Sequence, residues 1–573
     1  MKNEEIINAI ESEIDYCEQT SIDSNPSYVK TEMARLDLID KYMLSQYRDS
    51  NTDSFGNQMV FYNISSLPVE VAAKMLDFDT KDIKFMSTND KYWETWLMEK
   101  ELKFWMEEKY FGKNLNEFAY RYPRDGHLVV KKIDNDVKVV PLKNLRFRPD
   151  CLSFEETPII EKFSYQYDQF VSEAKKRGWS NWQQVTKQEN VTKSGGSQKT
   201  GEGVTVFEAW FPENYLDLSD NWFLISHDGV LLASGFFAKS SYKGLAWDKI
   251  DNRLLGRGQV EKLFNEQIYL NRIGNYKAEA LHWSSKRLFY TRDNTVNSNL
   301  LGYSDNGDVF IVNDDIKQVP VEERNLSFYN YEEGRWEKHS NDRTFATESV
   351  TGQRPHSGTA YRSSLLEAQM TQGYYDQKKE NLGMFVKEIL WDWIIPEFKK
   401  ENRKEHSVIM RNILESGGGS EKYFEMHLNA MLNRERMYKP MTPEVEQIRK
   451  AFLTERLKNK KITIPKGIYD NLEYKMTIVI DNENIDTAGK LQTFQLLMQM
   501  VNNNPAILQN KITRNILFKT LNIAGFNPMD FEFQEEQQSV PQASETAQMM
   551  RGGSLAGPNK TQTMQQLPVK TSL

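Results

Sequence analysis

From Ala360 to Trp393 the chain runs without proline, and Leu365, Leu366, Ala368, Met370, Tyr374, Leu382, Phe385, Val386, Ile389 and Leu390 recur at roughly helical spacing. The pattern predicts one long helix, ended by Pro396. Before it lies a stretch holding Gly352, Pro355 and Gly358, with Arg354 and His356 between them, which predicts a polar loop mounted on the helix. That pairing suits a machine that grips or senses something passing by better than it suits an ordinary enzyme.

Nearer the N-terminus, Ile6, Ile7, Ile10 and Ile14 mark one helix, and Leu36, Leu38, Ile39, Tyr42 and Leu44 mark a second from Met33 to Tyr47. Ser65 or Ser66 with Pro68 opens a helix over Val69 to Leu76, and Asp90 to Tyr122 is helical with aromatic buried faces, Asn114 capping its second piece. From Asp125 the period becomes two, and HLVVKKIDNDVKVV predicts a hairpin turning at Asp134 to Asp136. DQFVSEAKKRGW is a short helix, and Lys187 to Gly203 reads as a mobile polar loop. Strands follow at Val204 to Phe211, Trp222 to Ser226 and Val230 to Ala233, the last two joined by the turn His227-Asp228-Gly229.

Gly256-Arg257-Gly258 opens a helix to about Lys286 whose apolar residues spread round much of its circumference. Along it Gln267, Asn271 and Asn275 repeat every fourth position, a stripe of amides expected to hydrogen-bond between helices. Lys286 to Lys338 reads as β-like and turn-rich, with a return helix at Asp342 to Val350. Later come a glycine turn at Gly417 to Gly419, a helix at Pro443 to Lys458 and a strand at Tyr474 to Ile480. Helices at Lys490 to Val501 and Lys511 to Leu521 and a disordered tail from Glu535 complete the chain.

The length of 573 residues predicts two to four domains. Cys17 and Cys151 are the only cysteines, so neither a disulfide framework nor a zinc site is encoded, and a reducing cytosol suits the chain. The acidic, amphipathic start is not a signal peptide and no window reaches a membrane span, so a soluble, unprocessed protein is expected. With 73 basic against 81 acidic residues the formal charge is −8, which excludes a strongly basic nucleic-acid clamp but not a protein that lets DNA pass without holding it. Twelve Trp, 26 Tyr and 30 Phe point to large buried or interfacial surfaces.

Local signatures of catalysis are missing. The seven histidines are scattered, with no HxxxH, no GxSxG and no phosphoryl-transfer box. GGSQKTGEG does not supply GxxxxGK[ST], GRGQVE lacks the third glycine of a dinucleotide loop, and DNENID lacks the glycine and distal glutamate of a calcium loop. A structural or transport role is expected, with no catalytic residue, metal or cofactor.

The order of parts, with the loop TGQRPHSGTAYR and the helix ending ENLGMFVKEILWDWIIP, resembles the portal proteins of tailed bacteriophages, especially larger ones from short-tailed phages. The resemblance covers roughly residues 60 to 530, and its most specific pieces are Gly352 with Ser357-Gly358-Thr359 and LPVEVAAKMLDFDTKDI. It implies an α+β chain, a portal-like fold with a mixed wing, helical stem, small β-rich clip and α-helical crown, assembled as a ring. By residue, it implies a wing over 1–257, stem helix 1 over 258–286 with Gln267, Asn271 and Asn275, a clip over 287–340 and stem helix 2 over 341–350. A tunnel loop over 351–361, the long helix and returning wing segment over 362–486, a crown over 487–534 and a disordered tail over 535–573 complete it. Gly352, Gln353, Arg354, His356, Ser357, Gly358 and Arg362 would line the DNA channel. A homo-oligomer, expected as a dodecameric ring, would then sit at one capsid vertex of the virion, assembled in the host cytoplasm. Its partners would be double-stranded DNA, the terminase motor, the major capsid protein and a head-to-tail connector or tail proteins, with no membrane. The competing readings are another virion component, such as a connector or baseplate scaffold, and a nucleic-acid-processing enzyme with a dispersed site.

Overall fold

The structure, a computed structural model, describes residues 2–22, 29–52, 58–77, 79–133, 136–194, 197–213, 215, 220–237, 239–285, 289–292, 313–318, 326–347, 361–402, 406–409, 428–429, 431–436, 439, 441–456, 461–464, 467–478, 492, 495–496, 499, 511–523 and 527. The fold is α+β, as its alternating helical and two-residue periods predict. Helix α1 (Lys2–Gln19) buries Ile6 and Ile10, and α2 (Glu32–Met43) starts at Thr31, whose side chain accepts from the Ala34 N–H at 3.3 Å. Helix α3 (Ser66–Met75), strand β1 (Ile83–Ser87), α4 (Tyr92–Glu108) and α5 (Phe111–Asp125) follow. Asn114 does not cap α5: the helix starts at Phe111 after a left-handed Tyr110, and Asn114 donates instead to the Val137 carbonyl at 2.6 Å. The local cap signal loses because the hairpin packed on α5 offers the amide an acceptor.

That hairpin is β2 (His127–Ile133) with β3 (Asp136–Val139), the turn residues 134 and 135 lying outside the described ones. A second sheet starts with β4 (Leu145–Arg146) and β5 (Ile159–Gln166), and α6 (Tyr167–Arg177) packs on it through Phe170. The stretch read as a mobile loop is instead a hairpin of β6 (Gln188–Ser194) and β7 (Ser197–Trp210), paired from Gln188↔Gly203 to Ser194↔Ser197. Backbone pairing needs no apolar side chains, so a polar strand that prolongs an anchored one leaves no hydrophobic trace. Strands β8 (Trp222–Ser226) and β9 (Leu231–Gly235), joined through Gly229 at φ +77, complete the order β4-β5-β7-β8-β9, with α1 on one face and α6 on the other. Strand β10 (Tyr242–Ala246) joins the first sheet in the order β10-β2-β3. Lys131 of β2 ties the two sheets together, reaching Glu161 of β5 at 2.7 Å and Glu208 of β7 at 2.5 Å.

The glycine pair before the next helix serves packing. A Cβ on Gly258 would lie 2.6 Å from both the Gly126 nitrogen and the Pro123 carbonyl, so only glycine lets this turn rest on the end of α5. Helices α7 (Gln259–Lys262) and α8 (Phe264–Ser285) then lead to the short antiparallel pair β11 (Phe289–Tyr290) and β12 (Lys317–Gln318). The return helix is α9 (Leu326–Thr344), earlier and longer than the expected Asp342 to Val350, and it converts much of the supposed β-like stretch to helix. It is held by α8: Tyr269 and Trp336 rings lie 4.7 Å apart, Lys277 pairs with Glu333 at 2.7 Å, and Arg343 pairs with Glu266.

Helix α10 (Tyr361–Ile389) forms as the spacing predicts, with Leu382, Phe385, Val386 and Ile389 buried, but Leu366 and Met370 of the expected stripe are exposed and Pro396 does not end the rod. A π turn over Leu390–Ile394 leads into α11 (Ile395–Glu401), with Pro396 in its first turn and the Ile395 N–H bonded to the Leu390 carbonyl. Proline cannot donate to Asp392, and widening one turn accommodates that loss without breaking the rod. Beyond it come β13 (His406–Ile409), α12 (Pro443–Arg456), β14 (Lys461–Ile464), which pairs with β13, β15 (Tyr474–Ile478) and α13 (Lys511–Ile523). β15 returns to pair antiparallel with β1, and Asn522 of α13 donates to the Ser87 carbonyl at 2.7 Å. The largest core joins α4, α5, β2, α10 and α11 around Phe118, Tyr122, Trp247, Leu382 and Phe398. The glycine turn at 417–419, most of the helix expected at 490–501 and the tail lie outside the described residues. Among the described residues no helix is long and apolar enough to cross a membrane.

Candidate functional site

The feature that calls for a function is the excursion of α8, the β11–β12 pair and α9, together with the way its root is fastened. Three polar junctions do the fastening.

The first is the amide stripe. Gln267, Asn271 and Asn275 do hydrogen-bond away from their helix, but chiefly to an extended segment and not to another helix. Gln267 Oε1 accepts from the Ile64 N–H (3.1 Å), Asn271 Oδ1 from the Tyr62 N–H (2.9 Å) and Asn275 Oδ1 from the Val60 N–H (3.1 Å). Gln267 Nε2 also donates to the Asn271 amide oxygen at 3.1 Å, and Asn275 Nδ2 to the Tyr47 hydroxyl at 2.6 Å. A helix rises about 1.5 Å per residue, so a step of four is close to two residues of extended chain. The spacing therefore matches the alternate N–H groups of residues 60, 62 and 64. Gln267→Leu, at a fully buried position, leaves a buried donor and acceptor unpaired and is expected to cost about 1–3 kcal/mol in urea denaturation. Asn275→Ala, at the half-buried end, is expected to cost less than about 1 kcal/mol. Equal losses would contradict this graded ladder.

The second junction is a buried charge cluster between α2, α7 and the turn before α7. Arg253 Nε meets Glu32 at 2.8 Å, and its Nη1 and Nη2 meet Glu261 at 2.8 and 2.9 Å. Arg35 reaches Glu32 at 2.6 Å, Glu261 at 3.1 Å and the Asp125 carbonyl at 3.1 Å. Burial opposes the Glu261 charge, but Arg35 and Arg253 outweigh it and hold the carboxyl below its ordinary range. His127 lies beside the two arginines, its Nδ1 accepting from the Gly256 N–H at 3.3 Å. Burial first, then the charges of Arg35 and Arg253, push this imidazole from 6.5 down to about 3. The unfolded chain takes this proton near pH 6.5 and the folded chain only near pH 3, so acid favours unfolding. The contribution is intact above pH 6.5 and is lost as the pH falls toward 3. At about pH 5 this imidazole alone is expected to have removed about 2 kcal/mol, and His127→Gln, which keeps an acceptor for Gly256, should flatten a stability profile between pH 7 and 5. An unchanged slope would contradict it.

The third junction clamps α10 to the root of the excursion. Asp248 receives Lys262 of α7 and Lys378 of α10, each at 2.6 Å, on its two carboxylate oxygens. Burial opposes the Asp248 charge, but its hydrogen bonds to Lys262 and Lys378 and their charges hold the carboxyl below the ordinary range. Lys378 also donates to the Trp247 carbonyl at 2.5 Å, and Lys262 to the Tyr374 hydroxyl at 3.2 Å. Tyr374 stacks on Phe345 with ring centres 4.2 Å apart and planes 14° apart. Phe345, left-handed at φ +58, ends α9, whose Thr344 carbonyl accepts from Tyr375 (3.1 Å) and Gln259 (3.2 Å). The end of α9 and the middle of α10 are thereby pinned to one point, with residues 348–360 between them in sequence.

Of the predicted channel residues, Gly352, Gln353, Arg354, His356, Ser357 and Gly358 lie outside the described residues, and Arg362 falls in the first turn of α10. The stem amides are brought together, in a fastening role. The clamp was not read from the sequence, because Asp248 and Lys378 are 130 residues apart. Lys378 did leave a trace: it interrupts the stripe Tyr374, Leu382, Phe385 and Ile389, and a cation on an apolar stripe needs a buried partner. Among the described residues no group of three or more His, Cys, Asp or Glu side chains is placed to hold a metal ion. The chain matches no protein-family model and no curated protein.

Proposed function

We propose that this chain is a portal protein of a tailed bacteriophage: a non-enzymatic subunit of a ring, expected to be a dodecamer, at one capsid vertex. Double-stranded DNA would enter through the ring during packaging and leave through it during ejection. The packaging motor and the head-to-tail connector would dock on the end carrying β11 and β12. The observation that carries the reading is the α8–β11–β12–α9 excursion, clamped at its root to the long helix α10 and thus to the fold's largest core. Exposed aromatic residues on the excursion support a ring: Tyr269 and Tyr276 on α8, and Phe328 and Tyr331 on α9. In a closed ring each subunit presents two different faces to its neighbours, and such side chains would be covered there. The net charge of −8 suits a conduit that must not hold its DNA.

Electron microscopy of the purified full chain tests the reading. Rings with a central channel are expected, and a monodisperse monomer at micromolar concentration would overturn it. The reading further assigns Arg354 and His356 to backbone contacts with passing DNA. The double alanine variant should form rings normally and package or retain less DNA.

A further inference from the structure

The six-stranded sheet has an unfinished edge. β4 contributes two residues, pairing Leu145↔Glu161 and Arg146↔Ile160, whereas β5 runs on to Gln166 with β7 along its other side for its whole length. Among the described residues no strand pairs with the outer side of β5 from Lys162 to Gln166, and no turn or loop hydrogen bond reaches its backbone there. In an antiparallel strand alternate residues turn both N–H and C=O to the same side, so this edge presents a ready ladder.

A cleft of about 490 Å³ lies along that edge. Phe163 and Tyr165 line it, with ring centres 6.1 Å apart and nearly parallel, and so do Lys143, Arg146 and Lys162. Lys143 is held by Asp40 at 2.6 Å, and Arg146 by Glu18 at 3.0 Å. Lys162 is exposed and has no carboxylate within 4.0 Å among the described residues. A lysine on an edge also keeps like edges apart, but a guard needs no concave cleft, and this one is lined mostly by polar surface.

We infer that this edge is a docking site for an extended acidic segment of a partner protein, which adds to β5 as a strand where β4 stops. Backbone hydrogen bonds supply the affinity, and Lys162, the cation of the cleft left without a carboxylate among the described residues, selects acidic residues at alternate positions. A nucleic-acid strand would satisfy the cations but not the strand edge. The inference is independent of the channel reading, since it concerns a sheet remote in sequence from α8 to α10.

The test uses the full chain and a fluorescein-labelled peptide of alternating glutamate and valine, followed by anisotropy. Saturable binding is expected, weakened at least about tenfold when alternate peptide amides are N-methylated or when glutamate is replaced by lysine. Lys162→Glu should weaken binding by a similar factor and Lys162→Arg should preserve it; the position is exposed, and circular dichroism checks that both variants fold. Absence of binding, equal binding of the N-methylated peptide, or indifference to Lys162→Glu would each overturn the inference. So would a single-stranded oligonucleotide that occupies the cleft more tightly than the peptide.

Discussion

Replacing Arg253 with methionine is expected to cost about 3–5 kcal/mol of folding stability, the largest effect of any single exchange considered for this chain. Arg253 is buried and, like Arg35, meets both Glu32 and Glu261 through charge-assisted hydrogen bonds, but it alone holds Glu261 with two nitrogens. Without it, two buried carboxylates share Arg35 alone, and the cost comes from leaving charge uncompensated rather than from losing the attraction itself. Adding Glu261→Gln to Arg253→Met should therefore return part of the loss, because the second change removes one stranded charge. Urea unfolding followed by tryptophan fluorescence at one fixed protein concentration measures both. A single-variant loss below about 1 kcal/mol would show that the cluster is far better hydrated than its burial indicates.

Asp248→Asn is expected to cost about 3 kcal/mol and to act locally. The change leaves Lys262 and Lys378 facing each other across a neutral amide, so the α10 contact loosens first while the sheets keep their own cores. Hydrogen exchange should rise around Tyr374 to Leu382 and at the end of α9, with little change in β5, β7 and β8. Uniformly faster exchange would mean that Asp248 supports the whole fold and not this junction. If the ring reading holds, the same variant should assemble while shifting the channel segment between α9 and α10.

Some elements were legible from side-chain periodicity alone. The isoleucine stripe of α1, the α10 stripe from Leu382 onward, the β2–β3 alternation and the His227 to Gly229 turn all record which face is buried or where the backbone must reverse. Those are local facts, written within a few residues of each other. Helix α9 is not legible in its sequence, LSFYNYEEGRWEKHSNDRT, which is aromatic and polar and contains Gly334; what holds it is α8, through Trp336, Glu333 and Arg343. Pro396 reads locally as a stop, because the π turn that absorbs it depends on packing: Lys243 of β10 bridges Glu388 and Asp392 across that turn.

By itself the sequence determined the α+β class, the positions of the strongly periodic helices and strands, and the existence of an amide stripe at a spacing of four. The tertiary structure alone decided what the amides bind, that 188–203 is a hairpin, and that Asp248, Lys262 and Lys378 meet. The division has one physical cause. Burial of an apolar face imposes a period on neighbouring residues, whereas a hydrogen bond or an ion pair imposes nothing on the sequence between its partners, however far apart they lie.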